Sequence, residues 1–193
     1  MTYTTAVVAD HLKNNVDFHR FSKLVKAMGP QLNTEQLRFL KARVFEKSIE
    51  KYSNKSLSYV AQDGCDFLIT GLNNTRLEMK YTEGAIYTSK KRELREYCNI
   101  KLTNSHGTNT HAVLPPDYAD FLMFVSDCGA VLFDKPTLLA HSTSGGDGIT
   151  AKVPTSLGII IADYNVMNGG NQTEIDFIQQ LDKSVEVYAS RIV

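Results

Sequence analysis

The segment from Gly64 to Gly84, GCDFLITGLNNTRLEMKYTEG, constrains the fold of this chain more than any other. An apolar run, Phe67 to Ile69, leads to Gly71, Asn73 and Asn74, and a second extended run follows. Glycine and asparagine accept positive φ where bulkier residues do not, so the segment reads as a hairpin. Side chains at i and i+2 of a strand share a face, which turns Glu78 and Lys80 one way and Leu77 and Met79 into the packing. With Asp66 beside them, two carboxylates and one ammonium converge at the edge of a sheet. Asp63 precedes Gly64 and reads as a turn residue. Asp66 directly precedes the apolar strand and is preferred for that position.

The rest of the chain fits one domain, 1–193, built around this hairpin (64–84). At 193 residues it is long enough for one substantial core and short for two. Apolar residues at helical spacing from Val7 to Val25 are broken by Gly29-Pro30. A second stripe, Leu37 to Ile49, completes an N-terminal helical segment, 4–51. Leu57 to Ala61 reads as a strand, Ser89 to Cys98 as a charged surface helix, and Asn99 to Thr103 as a further strand. The apolar runs flanking Asp127-Cys128-Gly129 read as adjacent strands. Pro136 fits the first turn of a short helix, and Ser142 to Gly148 reads as a Ser/Gly loop before a strand ending at Ala162. Ile175, Ile178, Leu181, Val185, Tyr188 and Ile192 line one side of a C-terminal helix, 173–192. Helices, then strands, then a closing helix describe an α/β or α+β domain with a central mixed sheet flanked by helices.

Twenty-one basic and twenty-one acidic residues leave no net charge, which argues against a passive nucleic-acid binder with a broad basic footprint. Three cysteines without metal spacing read as reduced thiols. No apolar stretch reaches membrane-span length. A cytoplasmic protein without a membrane partner is the plain expectation.

Two carboxylates beside a lysine suit a hard divalent cation. Mg2+ takes oxygen ligands, commonly one or two carboxylates with water and substrate phosphate making up the remainder. Such an ion polarises a phosphoryl oxygen, and a neighbouring ammonium stabilises developing negative charge or orients the attacking water. Asp66 followed by Glu78-Met79-Lys80 resembles the metal-binding signature of the PD-(D/E)xK, or restriction-endonuclease-like, nucleases. The resemblance covers Gly64 to Tyr81, with Cys65 where that family often has proline. It implies a restriction-endonuclease-like core, Mg2+ (or Mn2+ in its place) on Asp66, Glu78 and the Met79 carbonyl, and Lys80 assisting the attacking water. It also implies a further acid from the preceding helix. Glu46 and Glu50 are one helical turn apart, and Glu46, next to Phe45 in the apolar stripe, is preferred.

The resemblance implies a metal-dependent DNA endonuclease, a type II restriction enzyme or phage-encoded relative, with double-stranded DNA as partner. Cutting both strands with one site per chain favours a twofold homodimer. Candidate DNA contacts are the basic run Lys90, Lys91, Arg92 and Arg95, together with Lys101, Asn104 and Ser105. His106 and His111 lack the further ligands that a zinc site needs. Two rival readings stand beside this one. The first is a non-catalytic nucleic-acid or protein-binding domain on the same fold, and the second is a structural phage protein with an accidental motif. A strand face alternating Glu with Lys is also what water-facing strands present.

Overall fold

The computed structural model describes residues 3–28, 38–62, 64–82, 95–102, 114, 118–145 and 148–168. The expected C-terminal helix, Asp63, Lys90, Lys91, Arg92, Asn104, Ser105, His106 and His111 lie outside these residues.

The N-terminal segment folds as two helices where one continuous stripe was expected: α1, Thr5–Asn15, and α2, Phe18–Met28. The break falls at Val16, which is extended. Asp17 then caps α2, its Oδ1 accepting the Arg20 N–H at 3.0 Å, while its own N–H donates to Tyr52 O at 2.8 Å. A capping Asp satisfies an N–H that the helix itself cannot, so this junction serves as both a cap and a tie to α3, Arg38–Lys51.

Among the described residues nine strands follow: β1 Leu57–Gln62, β2 Cys65–Ile69, β3 Thr75–Tyr81, β4 Tyr97–Lys101, β5 Phe121–Val125, β6 Ala130–Asp134, β7 Ser142–Gly145, β8 Gly148–Pro154 and β9 Ile159–Ala162. Helix α4, Lys135–Ala140, lies between β6 and β7, and α5, Tyr164–Asn168, follows β9. Six strands form a sheet in the order β1-β2-β3-β5-β6-β9, and β4-β8-β7 form a second sheet. In the larger sheet β3 and β5 run parallel and the other neighbours are antiparallel, so the central sheet is mixed. The domain is α+β, with helices flanking that sheet. Ser142–Gly145 is a strand, not the expected loop, because its backbone pairs with β8. Tyr97 and Cys98 likewise belong to β4, where a surface helix was expected.

Strand β5 explains how the layers assemble. All five residues of FLMFV are buried. Phe121, Met123 and Val125 pack in the core shared with α1, α2 and α3. Leu122 and Phe124 pack in a second core with Ile100, Ile149, Ala151 and Val153 of the small sheet. A continuous apolar run is what a strand covered on both faces requires.

Candidate active site

The hairpin forms as its turn residues dictate. β2 pairs antiparallel with β3 from Phe67–Leu77 to Ile69–Thr75. Gly71, Asn73 and Asn74 all have positive φ in the connecting turn. At the other end the register breaks. The β1–β2 pairing shifts between Tyr59 and Gln62, and Gly64 has φ +72. A Cβ on Gly64 would lie 2.5 Å from Cδ2 of Tyr118, so both backbone and space demand glycine here. Beyond Phe67–Leu77 the two strands no longer exchange ladder bonds. Instead the Asp66 carboxylate accepts the Met79 N–H at 2.8 Å.

That gap opens the site. A strand residue's N–H and carbonyl face the same neighbouring strand, so the Met79 carbonyl is directed to the Asp66 side as well. Asp66, Met79 and Lys80 line a cavity of about 490 Å³ with Lys41, Phe45, Glu46 and Tyr81 among its other walls. The Lys80 ammonium ion-pairs with Glu78 Oε1. Glu78 is 3% exposed, and its Oε2 has no hydrogen-bond partner among the described residues. The expected convergence at a sheet edge is therefore corrected. β3 is an interior strand, and the carboxylates meet inside the sheet, where β2 peels away from it.

Burial raises the Glu78 pKa to about 7. Lys80 opposes that shift, while Asp66 and then Glu46 add to it. Glu46 also rises to about 7, through burial first and the Asp66 charge second, against Arg43, Lys80 and Lys47. Asp66 is raised by burial too, with the Met79 N–H and Lys80 opposing. The Asp66 charge in turn acts on Glu78, so the two carboxyls oppose each other's ionisation. Glu46, Asp66 and Glu78 therefore all hold a proton more readily than free carboxyls do, because burial outweighs the attraction of Lys80.

Glu46 and Glu50 are placed differently. Glu50 Oε1 accepts the Tyr59 N–H at 2.8 Å and its Oε2 pairs with Lys47 at 2.9 Å, so its carboxylate is committed to holding α3 on β1. Glu46 lines the cavity. Among the described residues, however, no group of three or more His, Cys, Asp or Glu side chains is placed to hold a metal ion. Glu46 thus shares the cavity with Asp66 without completing a compact three-ligand set.

Arg95 and Lys101 are exposed, at or near β4 of the small sheet. That sheet packs in the second core, whereas the cavity is shared with α3. The structure therefore does not bring either residue to the cavity. Lys41, Phe45 and Tyr81 were not singled out as site residues. The available signal was that Lys41 precedes Phe45 by one helical turn, which puts them on one face. Tyr118 was also missed, because nothing in the sequence links it to Gly64. Cys65 and Cys98 are buried free thiols, and Cys128 is a partly exposed one. Burial pushes the first two thiol pKa values up, which disfavours the thiolate needed for nucleophilic work. No described helix is long and apolar enough to cross a membrane.

No protein-family model matches this sequence, and no curated protein matches it.

Proposed function

We propose that the protein is a divalent-metal-dependent endonuclease that hydrolyses DNA phosphodiester bonds on a restriction-endonuclease-like core. One observation carries this reading. Where β2 leaves β3, Asp66 and Lys80 line one cavity, Lys80 pairs with the buried Glu78, and the charges of the two carboxyls act on each other.

The donor set fits Mg2+ or Mn2+. Asp66, Glu78 and the Met79 carbonyl are hard oxygen donors, and two carboxylates are the number Mg2+ commonly takes from protein. The unpartnered Oε2 of Glu78 is a buried acceptor that a cation would satisfy. Bound there, the ion would supply Lewis-acid polarisation of the scissile phosphate and charge neutralisation. The chain's own groups do the rest. Asp66, fixed by the Met79 N–H, keeps its second oxygen for the site. Lys80, held by Glu78, presents its ammonium to the charge that develops on the phosphate or orients the attacking water. Glu46, with its pKa near 7, is matched to taking a proton from water at neutral pH.

A type II restriction enzyme or phage-encoded relative, acting as a homodimer on double-stranded DNA, is the form that suits a single site in a chain of this size. The test is incubation of mixed plasmid and phage DNA with Mg2+, Mn2+ or EDTA, followed by end mapping. Discrete fragments with 5′ phosphates, lost in EDTA, are the expected result. Intact DNA across broad substrates, with RNA and branched DNA included, would instead favour a binding domain.

A further inference from the structure

We propose that α3 carries a phosphate track: Arg43 and Lys47, ordered over the Tyr59 ring, and Lys41 on the cavity wall together hold the backbone of a DNA strand across the acidic centre. The inference rests on reading the cavity as a nuclease site and names the surface that delivers its substrate.

An acidic cavity repels a polyanion, so a strand placed over Glu46, Asp66 and Glu78 needs cations on either side of them. Helix α3 supplies these in a fixed order. Lys41 lines the cavity, its ammonium 5.9 Å from the Phe45 ring centroid and 5.7 Å from that of Tyr81. On the same helix, Arg43 lies 5.0 Å and Lys47 4.0 Å from the centroid of Tyr59. Both are exposed. The fields of Arg43 and Lys47 reach Glu46, and that of Arg43 also reaches Asp66, so these cations stand beside the acidic centre.

Two features separate this arrangement from an ordinary solvated helix face. First, one aromatic ring sits beneath two cations one helical turn apart, which restrains both head groups through cation–π attraction. Second, Glu50 bonds both the Tyr59 N–H and Lys47, so platform and cation are anchored to the same residue. Groups already ordered lose less freedom when they bind. From Lys41 to Lys47 the helix advances about 9 Å, between two and three phosphate-to-phosphate steps along one strand. That span selects a polynucleotide backbone over a mononucleotide or a small phosphoester.

The test is fluorescence anisotropy of a labelled DNA duplex with full-length protein in EDTA, over a salt series from about 50 to 200 mM. Arg43→Gln/Lys47→Gln is compared with the charge-conserving Arg43→Lys/Lys47→Arg, and thermal melts verify that both fold. The Gln pair is expected to bind more weakly on all sequences. Its plot of log affinity against log salt is expected to be shallower by about two, close to one per lost phosphate contact. The charge-conserving pair should retain the wild-type slope. An unchanged slope in the Gln pair, or no duplex binding by the wild type, overturns the inference. A parallel cleavage assay with Mg2+ separates the two readings. Binding that depends on α3 without any cleavage supports the track and sinks the nuclease. Cleavage with an unchanged slope does the reverse.

Discussion

Replacing Glu78 with Gln should abolish cleavage and, without divalent cation, make the protein more stable. Glu78 is almost fully buried, and its pKa is raised from 4.5 to about 7, chiefly by burial. At about 1.4 kcal/mol per pH unit, keeping it ionised in the fold costs up to about 3 kcal/mol above neutral pH. Glutamine removes that cost and relieves Asp66 of a like-charged neighbour, but it leaves Lys80 without its ionic partner. A net gain of about 1–3 kcal/mol is expected, a rise of roughly 3–9 °C in Tm for a chain of this length. The sign depends on pH. A carboxyl whose folded pKa is raised favours the fold below about 4.5 and loses that contribution as pH rises through about 7. The Glu78→Gln gain should therefore be full at pH 8 and absent at pH 4. The assay is thermal unfolding at both pH values in EDTA, repeated with Mg2+, which should raise the wild-type Tm and not that of the variant. Equal melting of the two proteins at pH 8, or the same gain at pH 4, would refute the argument that Glu78 is a strained buried charge.

Other consequences follow from the same geometry. Asp66→Asn and Lys80→Ala should each lower single-turnover cleavage by about 100-fold or more with the fold retained; soluble variants cutting at near-normal rates would remove them from the mechanism. Glu46→Gln should flatten the rise in cleavage rate between pH 6 and 8 if Glu46, with its pKa at about 7, accepts the proton, as pH–rate profiles of both proteins would reveal. Gly64→Ala forces a Cβ against Tyr118 at positive φ, so it should cost about 1–3 kcal/mol in denaturant unfolding and reduce cleavage by displacing Asp66. Sedimentation with and without DNA checks the homodimer: a strict monomer that cuts both strands would exclude an obligatory one.

Much of the site was legible because it is local. The hairpin follows from Gly71, Asn73 and Asn74, and its alternation puts Glu78 and Lys80 on one face whatever the surrounding fold. The two apolar runs divided by Asp127-Cys128-Gly129 read as adjacent strands, and β5 and β6 do pair. What escaped the sequence depends on distant partners. Nothing near Asp66 states that the β2–β3 pairing ends at Phe67–Leu77, or that Tyr118 stands against Gly64. Glu46 and Glu50 share a helix face by spacing alone, and what distinguishes them is the Tyr59 N–H of β1, which donates to Glu50. The Ser142–Gly145 strand has weak strand propensity, and its pairing with β8 overrides it. The break at Val16 was hidden by apolar periodicity that continues across it.

The parallel pairing of β3 with β5 bears on the order of folding events. Asp66 and Glu78 belong to neighbouring strands of one hairpin, and hairpins close within microseconds. β5 reaches β3 only after the chain has looped through β4 in the other sheet, and such non-local pairing is slow. The carboxylates therefore come together while still in water and lose hydration when β5 docks. In the absence of divalent cation, that docking step should slow as pH rises through neutrality, while closure of the hairpin itself proceeds at a nearly constant rate.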